Sequence, residues 1–316
     1  MEAAPIVGID VALADLDVAC ADTPTTTRFA NDVAGRRQLI RQLQSLQPRL
    51  VILEASGGYE QALLEDLWRV QLPVARVNPW KVRQFAKATG QLAKTDSLDA
   101  RLLVRFGRVM EVAAQAPPSP VRQSLAQLQA HRTDLVTQRV AAMNRRKQTP
   151  HPHAQASLDR LIACFEAEEQ AVEAAMDALL AADPELRHEA DILASVPGIG
   201  PGNVRLLLGA LPELGRASPK ELAALVGVAP FNHDSGRKKG QRAIGGGRPA
   251  VRHGLYMAVR SGKRHNPVLR AFYERLIADG KAPKVAEVAC IRKLLGILNA
   301  MVRDGTSWQP PVPATA

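Results

Sequence analysis

Hydrophobic and polar positions alternate in two different rhythms along this chain. Short apolar β-type runs come first: Ile6–Val11, Leu16–Ala21, Thr26–Ala30, Leu50–Leu53 and Val74–Val77. The first three follow one another too closely for helical crossovers, so they predict an antiparallel meander. The later runs alternate with helical spacing at Gly35–Leu46, Tyr59–Val70, Pro79–Ala88 and Ser97–Val109. After the proline-rich stretch Ala116-Pro117-Pro118-Ser119-Pro120 the rhythm is helical. Leu125, Leu128 and Leu135 form one stripe, and Leu158, Leu161, Phe165, Val172, Met176 and Leu179 a second at heptad-like spacing. Thr149-Pro150-His151-Pro152-His153 separates the stripes, because proline cannot continue a helix. The pattern predicts an antiparallel helical hairpin that could also dimerise. A second, mostly helical domain follows.

Three antiparallel strands followed by αβα units is the element order of an RNase H-like fold. The expected fold class is an α/β RNase H-like N-terminal domain, a helical middle that is either a coiled coil or two core-facing amphipathic helices, and a mostly α-helical C-terminal domain with a helix-hairpin-helix. The expected boundaries are 1–115, 116–185 and 186–316.

Acidic residues stand where these runs end. Asp10 closes Pro5-Ile6-Val7-Gly8-Ile9, and Glu54 closes Leu50-Val51-Ile52-Leu53. Asp96 and Asp99 lie three apart in Lys94-Thr95-Asp96-Ser97-Leu98-Asp99-Ala100. A carboxylate at the end of a buried strand is costly unless it is paired or bound to metal. Singly, each acid has a local explanation as a turn, a surface residue or a helix cap. Jointly, two strand-end carboxylates and an i, i+3 pair suit a hard cation such as Mg²⁺, which takes oxygen ligands and can polarise a phosphodiester.

The charge balance points the same way. Over 316 residues, 41 Lys and Arg face 31 Asp and Glu, a formal charge of +10 that favours a polyanionic partner. Aromatics are only 4%, so stacking bases on aromatic platforms is not the expected mode of contact. The charge is uneven. From Asn232 to Arg264 nine bases face one acid, Asp234; from Phe165 to Asp191 nine acids face one base, Arg187. The acidic stretch is expected to be solvated or set against a basic partner surface. The basic stretch is the strongest phosphate-binding candidate: Arg237, Lys238, Lys239, Arg242, Arg248 and Arg252, the last two one helical turn apart. Val196-Pro197-Gly198-Ile199-Gly200 reads as a helix-hairpin-helix turn whose Gly198 and Gly200 would let backbone N–H groups approach phosphate, or as a plain turn between packed helices.

Ser235 lies next to Gly236 inside the basic loop, and a serine there could attack phosphorus and hold a strand as a phosphoserine. His233 and Asp234 are local candidates for proton transfer. Cys20, Cys164 and Cys290 are far apart, no CxxC or His-x-x-x-His spacing is present, and His151 and His153 read as loop residues, so zinc is not expected. Free thiols suit a reducing, cytoplasmic setting. No basic-then-apolar signal opens the chain and no run approaches 18 apolar residues, so no membrane partner is expected.

Taken in order, Gly8-Ile9-Asp10, Glu54-Ala55-Ser56-Gly57-Gly58-Tyr59-Glu60, Lys94–Ala100, Val196–Gly200, Gly227-Val228-Ala229-Pro230 with Ser235-Gly236, and Ile244-Gly245-Gly246-Gly247-Arg248 with Arg252 span nearly the whole chain. This set resembles the insertion-sequence transposases of the IS-one-ten type, the Piv-like or DEDD/serine recombinases. The resemblance implies a RuvC-like domain whose Asp10, Glu54, Asp96 and Asp99 bind Mg²⁺, a coiled-coil connection, and a transposase domain with Ser235 as nucleophile. It implies donor and target DNA as substrates and a structured bridge RNA that pairs with both. It also implies a homo-oligomer, a dimer assembling to a tetramer with sites shared between protomers, acting at the bacterial nucleoid. Two rival readings stay open on the residues alone: a metal-only, RuvC-like endonuclease in which water attacks, and a non-catalytic nucleic-acid scaffold.

Overall fold

The computed structural model describes residues 4–21, 23, 25–90, 96–117, 119–231 and 243–310, with backbone only at 96–98 and 231. They form two compact units, Met1–Pro117 and Pro118–Ala316.

The first unit is built on five strands: β1 (Ile6–Val11), β2 (Asp15–Cys20), β3 (Thr26–Ala30), β4 (Leu50–Glu54) and β5 (Val74–Val77). The sheet order is β3-β2-β1-β4-β5. The three leading strands pair antiparallel, while β4 joins β1 and β5 joins β4 in parallel. This is the expected mixed sheet, with the meander on one side and the crossover strands on the other. Side chains alternate across a strand, so β1 sends Val7, Ile9 and Val11 to one face and Ile6, Gly8 and Asp10 to the other. The first face is covered by α1 (Val33–Leu46) and α2 (Gln61–Arg69), through Leu39, Leu43, Leu63, Leu64 and Leu67. The second is covered by α3 (Pro79–Ala88) and α4 (Asp96–Val109), through Val82, Ala86, Ala100, Leu103 and Phe106.

Two glycines let α4 sit unusually near the sheet. A Cβ on Gly8 would stand 2.2 Å from the carbonyl oxygen of Ala100, and one on Gly107 would stand 2.0 Å from Ile52 Cδ1. The first approach is closed to a larger residue unless the helix moves, because it meets backbone; the second would require the Ile52 side chain to shift.

The second unit is helical. An antiparallel hairpin of α5 (Pro120–Gln148) and α6 (Pro152–Ala182) is followed by α7 (Pro184–Ala194), α8 (Pro201–Ala210), α9 (Pro219–Val226), α10 (Pro249–His265), α11 (Pro267–Ala278) and α12 (Pro283–Asp304). Each of these helices has proline in its first turn, where the missing N–H is not needed. The prolines that read as breaks are thus start signals. Leu125, Leu135, Val172, Met176 and Leu180 at the base of the hairpin share one core with α7 to α12.

The expected apolar stripe on α6 needs correction. Leu180 is buried where Leu179 was expected, and Leu161 is 47% exposed. The acidic stretch also finds its basic partners inside the chain. Glu189 meets Arg122 at 2.6 Å, Glu173 meets Arg132 at 2.6 Å and Arg205 at 2.5 Å, and Glu169 meets Arg139 at 2.6 Å. Asp159 pairs with Arg146 near the hairpin tip. These carboxylates clamp the hairpin along its length and fasten its base to α8.

Candidate active site

The β1–β4 register pairs Gly8 with Ile52 and Ile9 with Leu53, so Asp10 and Glu54 are the next residues on neighbouring parallel strands. Neighbouring strands lie about 4.8 Å apart, so the two carboxylates start from adjacent backbone positions. Both are half-buried and lie on the α4 face, in line with Gly8 and Ile52. Asp17 of β2 stands directly opposite Asp10 on its other side. Cross-strand partners share a face, so Asp17, Asp10 and Glu54 form a row of carboxylates across three strands. Asp17 is buried and neutralised by Arg28, which donates through two nitrogens at 3.0 Å each. Sequence reading missed Asp17. Its signal is the alternation in Asp15-Leu16-Asp17-Val18, which puts an acid on the helix-covered face.

Asp99 lies in the first turn of α4, half-buried, one residue before the Ala100 carbonyl that sits over Gly8. Asp96 is the first residue of α4, and its side chain lies outside the described residues. The fold therefore brings α4's acidic first turn to the same sheet face as Asp10 and Glu54. The donor set is all oxygen, which suits a hard divalent cation and no soft one. Among the described side chains no group of three or more His, Cys, Asp or Glu stands in coordinating geometry.

The loop after Glu54 is braced by Glu60. Its Oε2 accepts from Ser56 N at 3.1 Å, Ser56 Oγ at 3.1 Å and Gly58 N at 2.9 Å. Arg76 of β5 reaches Oε1 at 3.5 Å. Burial pushes the Glu60 carboxyl up, but the backbone N–H donors of Glu60, Ser56 and Gly58 and the Ser56 hydroxyl outweigh it and hold the group below its ordinary range. Gly57 and Gly58 have φ of +74° and +107°, which a chain turning this tightly requires.

In the second unit, Ser235, Arg237, Lys238, Lys239 and Arg242, with His233 and Asp234, lie outside the described residues. The segment that holds them is bracketed by a two-residue antiparallel pair, β6 (Pro230–Phe231) with β7 (Ala243–Ile244). Two of the expected phosphate ligands have partners within the chain. Arg248 grips Glu213 through both terminal nitrogens at 2.5 and 2.6 Å and reaches the Ala210 carbonyl at 3.0 Å. Arg252 donates to the carbonyls of Val226 at 3.1 Å and Gly246 at 2.7 Å. Arg252 thus ties the Gly246-Gly247 turn to the end of α9, and Arg248 ties the start of α10 to the end of α8. Of the other bases, Lys263 pairs with Glu287 at 2.8 Å, whereas Arg260 and Arg264 are exposed.

The two glycines between α7 and α8 divide. Gly198 has φ +101°, and a Cβ there would meet Gly262 Cα of α10 at 2.6 Å, so this glycine permits a close crossing of backbones. Gly200 caps α8, is exposed, and has open space where a Cβ would be.

Comparison with known proteins bears on both units. A DEDD, IS110-type family model described as "Transposase" matches residues 7–149. A second, "Transposase IS116/IS110/IS902 family", matches residues 190–274. The pilin gene-inverting protein of Moraxella bovis is 30% identical over 313 residues, covering 94% of this chain and 95% of that one. An uncharacterized 43.6 kDa protein of insertion element IS110 from Streptomyces coelicolor is 30% identical over 161 residues, 50% of this chain and 38% of that one. Among solved structures, T. thermophilus RuvC in complex with a Holliday junction substrate aligns with 35% of this chain and 99% of its own at 14% identity. Its TM-score of 0.28 is too low to bear on chemistry.

Proposed function

The chain belongs to the IS116/IS110/IS902 transposase family, and from that premise we propose that it cuts and rejoins DNA through a phosphoserine at Ser235, with Mg²⁺ held by Asp10, Glu54, Asp96 and Asp99. It is a DNA recombinase by family. The observation that carries the metal half of the reading is the register that sets Asp10 beside Glu54 on the face covered by α4. Asp10, Glu54, Asp96 and Asp99 would hold a divalent cation there, which would supply polarisation of the scissile phosphate.

The remaining chemistry falls to the chain's own residues. Ser235 Oγ attacks phosphorus and gives up its proton to a base, for which His233 or Asp234 is local. The bond from phosphorus to the departing strand oxygen breaks, and that oxygen leaves as a hydroxyl by taking up the proton the base received from Ser235. A strand-end hydroxyl then attacks the phosphoserine, and Ser235 recovers its proton as the new strand is sealed. Arg237, Lys238, Lys239 and Arg242 would offset the phosphate charge.

Sequence choice is assigned to a bridge RNA. The +10 charge and the 4% of aromatic residues support this, because a duplex can be held by its backbone while pairing reads the sequence. Assembly as a dimer or tetramer is supported by Val140, Met143 and Leu161, apolar side chains left exposed on the outer part of the hairpin.

A nicked suicide substrate tests the reading. The expected result is a protein–DNA adduct that maps by mass spectrometry to Ser235, with Ser235→Ala binding DNA and RNA but neither cleaving nor joining. Normal recombination by Ser235→Ala, or an adduct at Tyr256, would replace it with a metal-only nuclease or another nucleophile.

A further inference from the structure

On the face of the first unit opposite the carboxylates, α1 and α2 enclose a concavity of about 370 Å³ lined by Val33, Arg36, Arg37, Arg41, Asp66 and Arg69 among others. Four guanidinium groups face one carboxylate there. Asp66 holds two of them: Arg36 Nε donates to Oδ2 at 3.0 Å and Arg69 Nη1 to Oδ1 at 2.7 Å. Arg36 is further fixed by a 3.4 Å bond to the Asn31 carbonyl and is only 14% exposed. Asp66 thus neutralises one charge and orients two forks. Arg37 and Arg41 are exposed, and among the described residues neither has a carboxylate within ion-pair distance. They stand four residues apart, so they project from one side of α1. The site keeps a net charge of about three positive units in a concave, partly apolar surface, where a positive field is focused. Planar guanidinium forks fit phosphate oxygens in pairs.

We propose that this α1–α2 concavity is a second phosphodiester-binding site, which grips the backbone of a polynucleotide on the side of the sheet away from the carboxylates. It rests on the reading of the chain as a nucleic-acid enzyme and adds a surface to it. A backbone ligand is favoured over a single small anion, because Arg37 and Arg41 are set about 5–6 Å apart along the helix and can meet more than one phosphate of a strand. The shared chemistry is the phosphodiester, whether carried by RNA or DNA.

The test uses the full chain with Arg37→Gln/Arg41→Gln. Both side chains are exposed, so the fold is expected to be retained, as circular dichroism will check. Affinity is measured against three labelled probes of random sequence: single-stranded RNA, single-stranded DNA and duplex DNA, each at several salt concentrations. The site's ligand is the probe whose log affinity–log salt slope becomes shallower by about 1.4 for a single strand or about 1.8 for a duplex, two phosphate contacts' worth. In parallel, phenylglyoxal modification of the wild type, read by mass spectrometry, should show Arg37 and Arg41 protected by that probe. Unchanged slopes for all three probes, or unprotected arginines under saturating probe, would overturn the proposal. Because Ser235 adduct formation is scored on the same preparations, an intact adduct with unprotected arginines rejects this site alone, whereas loss of the adduct in the wild type rejects the wider reading.

Discussion

The Ala100 carbonyl of α4 sits directly over Gly8 of β1, so near that an added Cβ would stand 2.2 Å from the oxygen. The acidic first turn of α4 reaches the sheet because residue 8 has no side chain. Gly8→Ala is therefore expected to push α4 outward. Overpacking of this kind costs about 1–3 kcal/mol. A urea titration of the full chain should show the first unit unfolding at lower denaturant, and strand cleavage should fall even where the protein remains folded. An unshifted midpoint would mean that the helix yields freely.

The carboxylates are expected to act together. Asp10→Asn, Glu54→Gln, Asp96→Asn and Asp99→Asn should each abolish recombination while leaving the circular dichroism spectrum unchanged, since each removes a ligand charge from a hard cation. Full activity in two or more of them would remove the metal site from the mechanism.

Glu60 links the loop after Glu54 to pH. Its carboxyl is held below its ordinary value in the folded chain. The stabilisation is therefore complete above the unfolded value of about 4.3 and is lost as pH falls through the lower, folded value. Glu60→Gln should lower stability at neutral pH by about 1–3 kcal/mol, the scale of hydrogen bonds to a charged group. It should also flatten the acid limb of the unfolding curve. Parallel acid limbs in wild type and variant would contradict the assignment.

Arg205 is buried between Glu173 and Asp177, at 2.5 and 2.9 Å. Both acids keep solvent contact, so the loss is smaller than for a fully buried pair. Arg205→Met should cost about 1–2 kcal/mol and loosen α8 from the hairpin. Hydrogen exchange along α6 and α8 is the measurement, and unchanged exchange would place the fastening elsewhere.

Much of this was legible because strand periodicity is short-range information. The run of Ile6–Val11 matches β1 residue for residue, and Thr26–Ala30 and Val74–Val77 match β3 and β5. Glu54 could be placed at the end of β4 because the apolar run stops there, and Asp10 near the end of β1 because it breaks the apolar run one residue before the strand ends. What escaped depends on partners distant in sequence. Glu173 meets Arg132, 41 residues away, and Arg248 meets Glu213, 35 residues away. No local pattern announces such pairs, so the acidic stretch reads as solvated or set against a basic partner surface, and nothing in the sequence pairs Arg248 with Glu213. Leu161 looked like a core position because heptad spacing tells which side of a helix is apolar. It does not tell how far up the hairpin the helices α7 to α12 reach. Ser235 and its basic neighbours lie outside the described residues, so what is said of them comes from the sequence and the family resemblance.

The ladder of arginine–carboxylate rungs between α5 and α6 has a consequence for how this arm can change length. Adding one residue to a helix turns everything beyond it by about 100°. One insertion in α6 would swing Glu169 away from Arg139 and Asp159 away from Arg146 together. Seven residues bring the side chains back to within about 20° of their old bearing. Matched insertions of seven in both helices are thus the smallest that keep every rung, and each extends the arm by about 10 Å. Insertions of other small sizes would turn the outer rungs out of register, so the length of this arm is tied to the spacing of its charges.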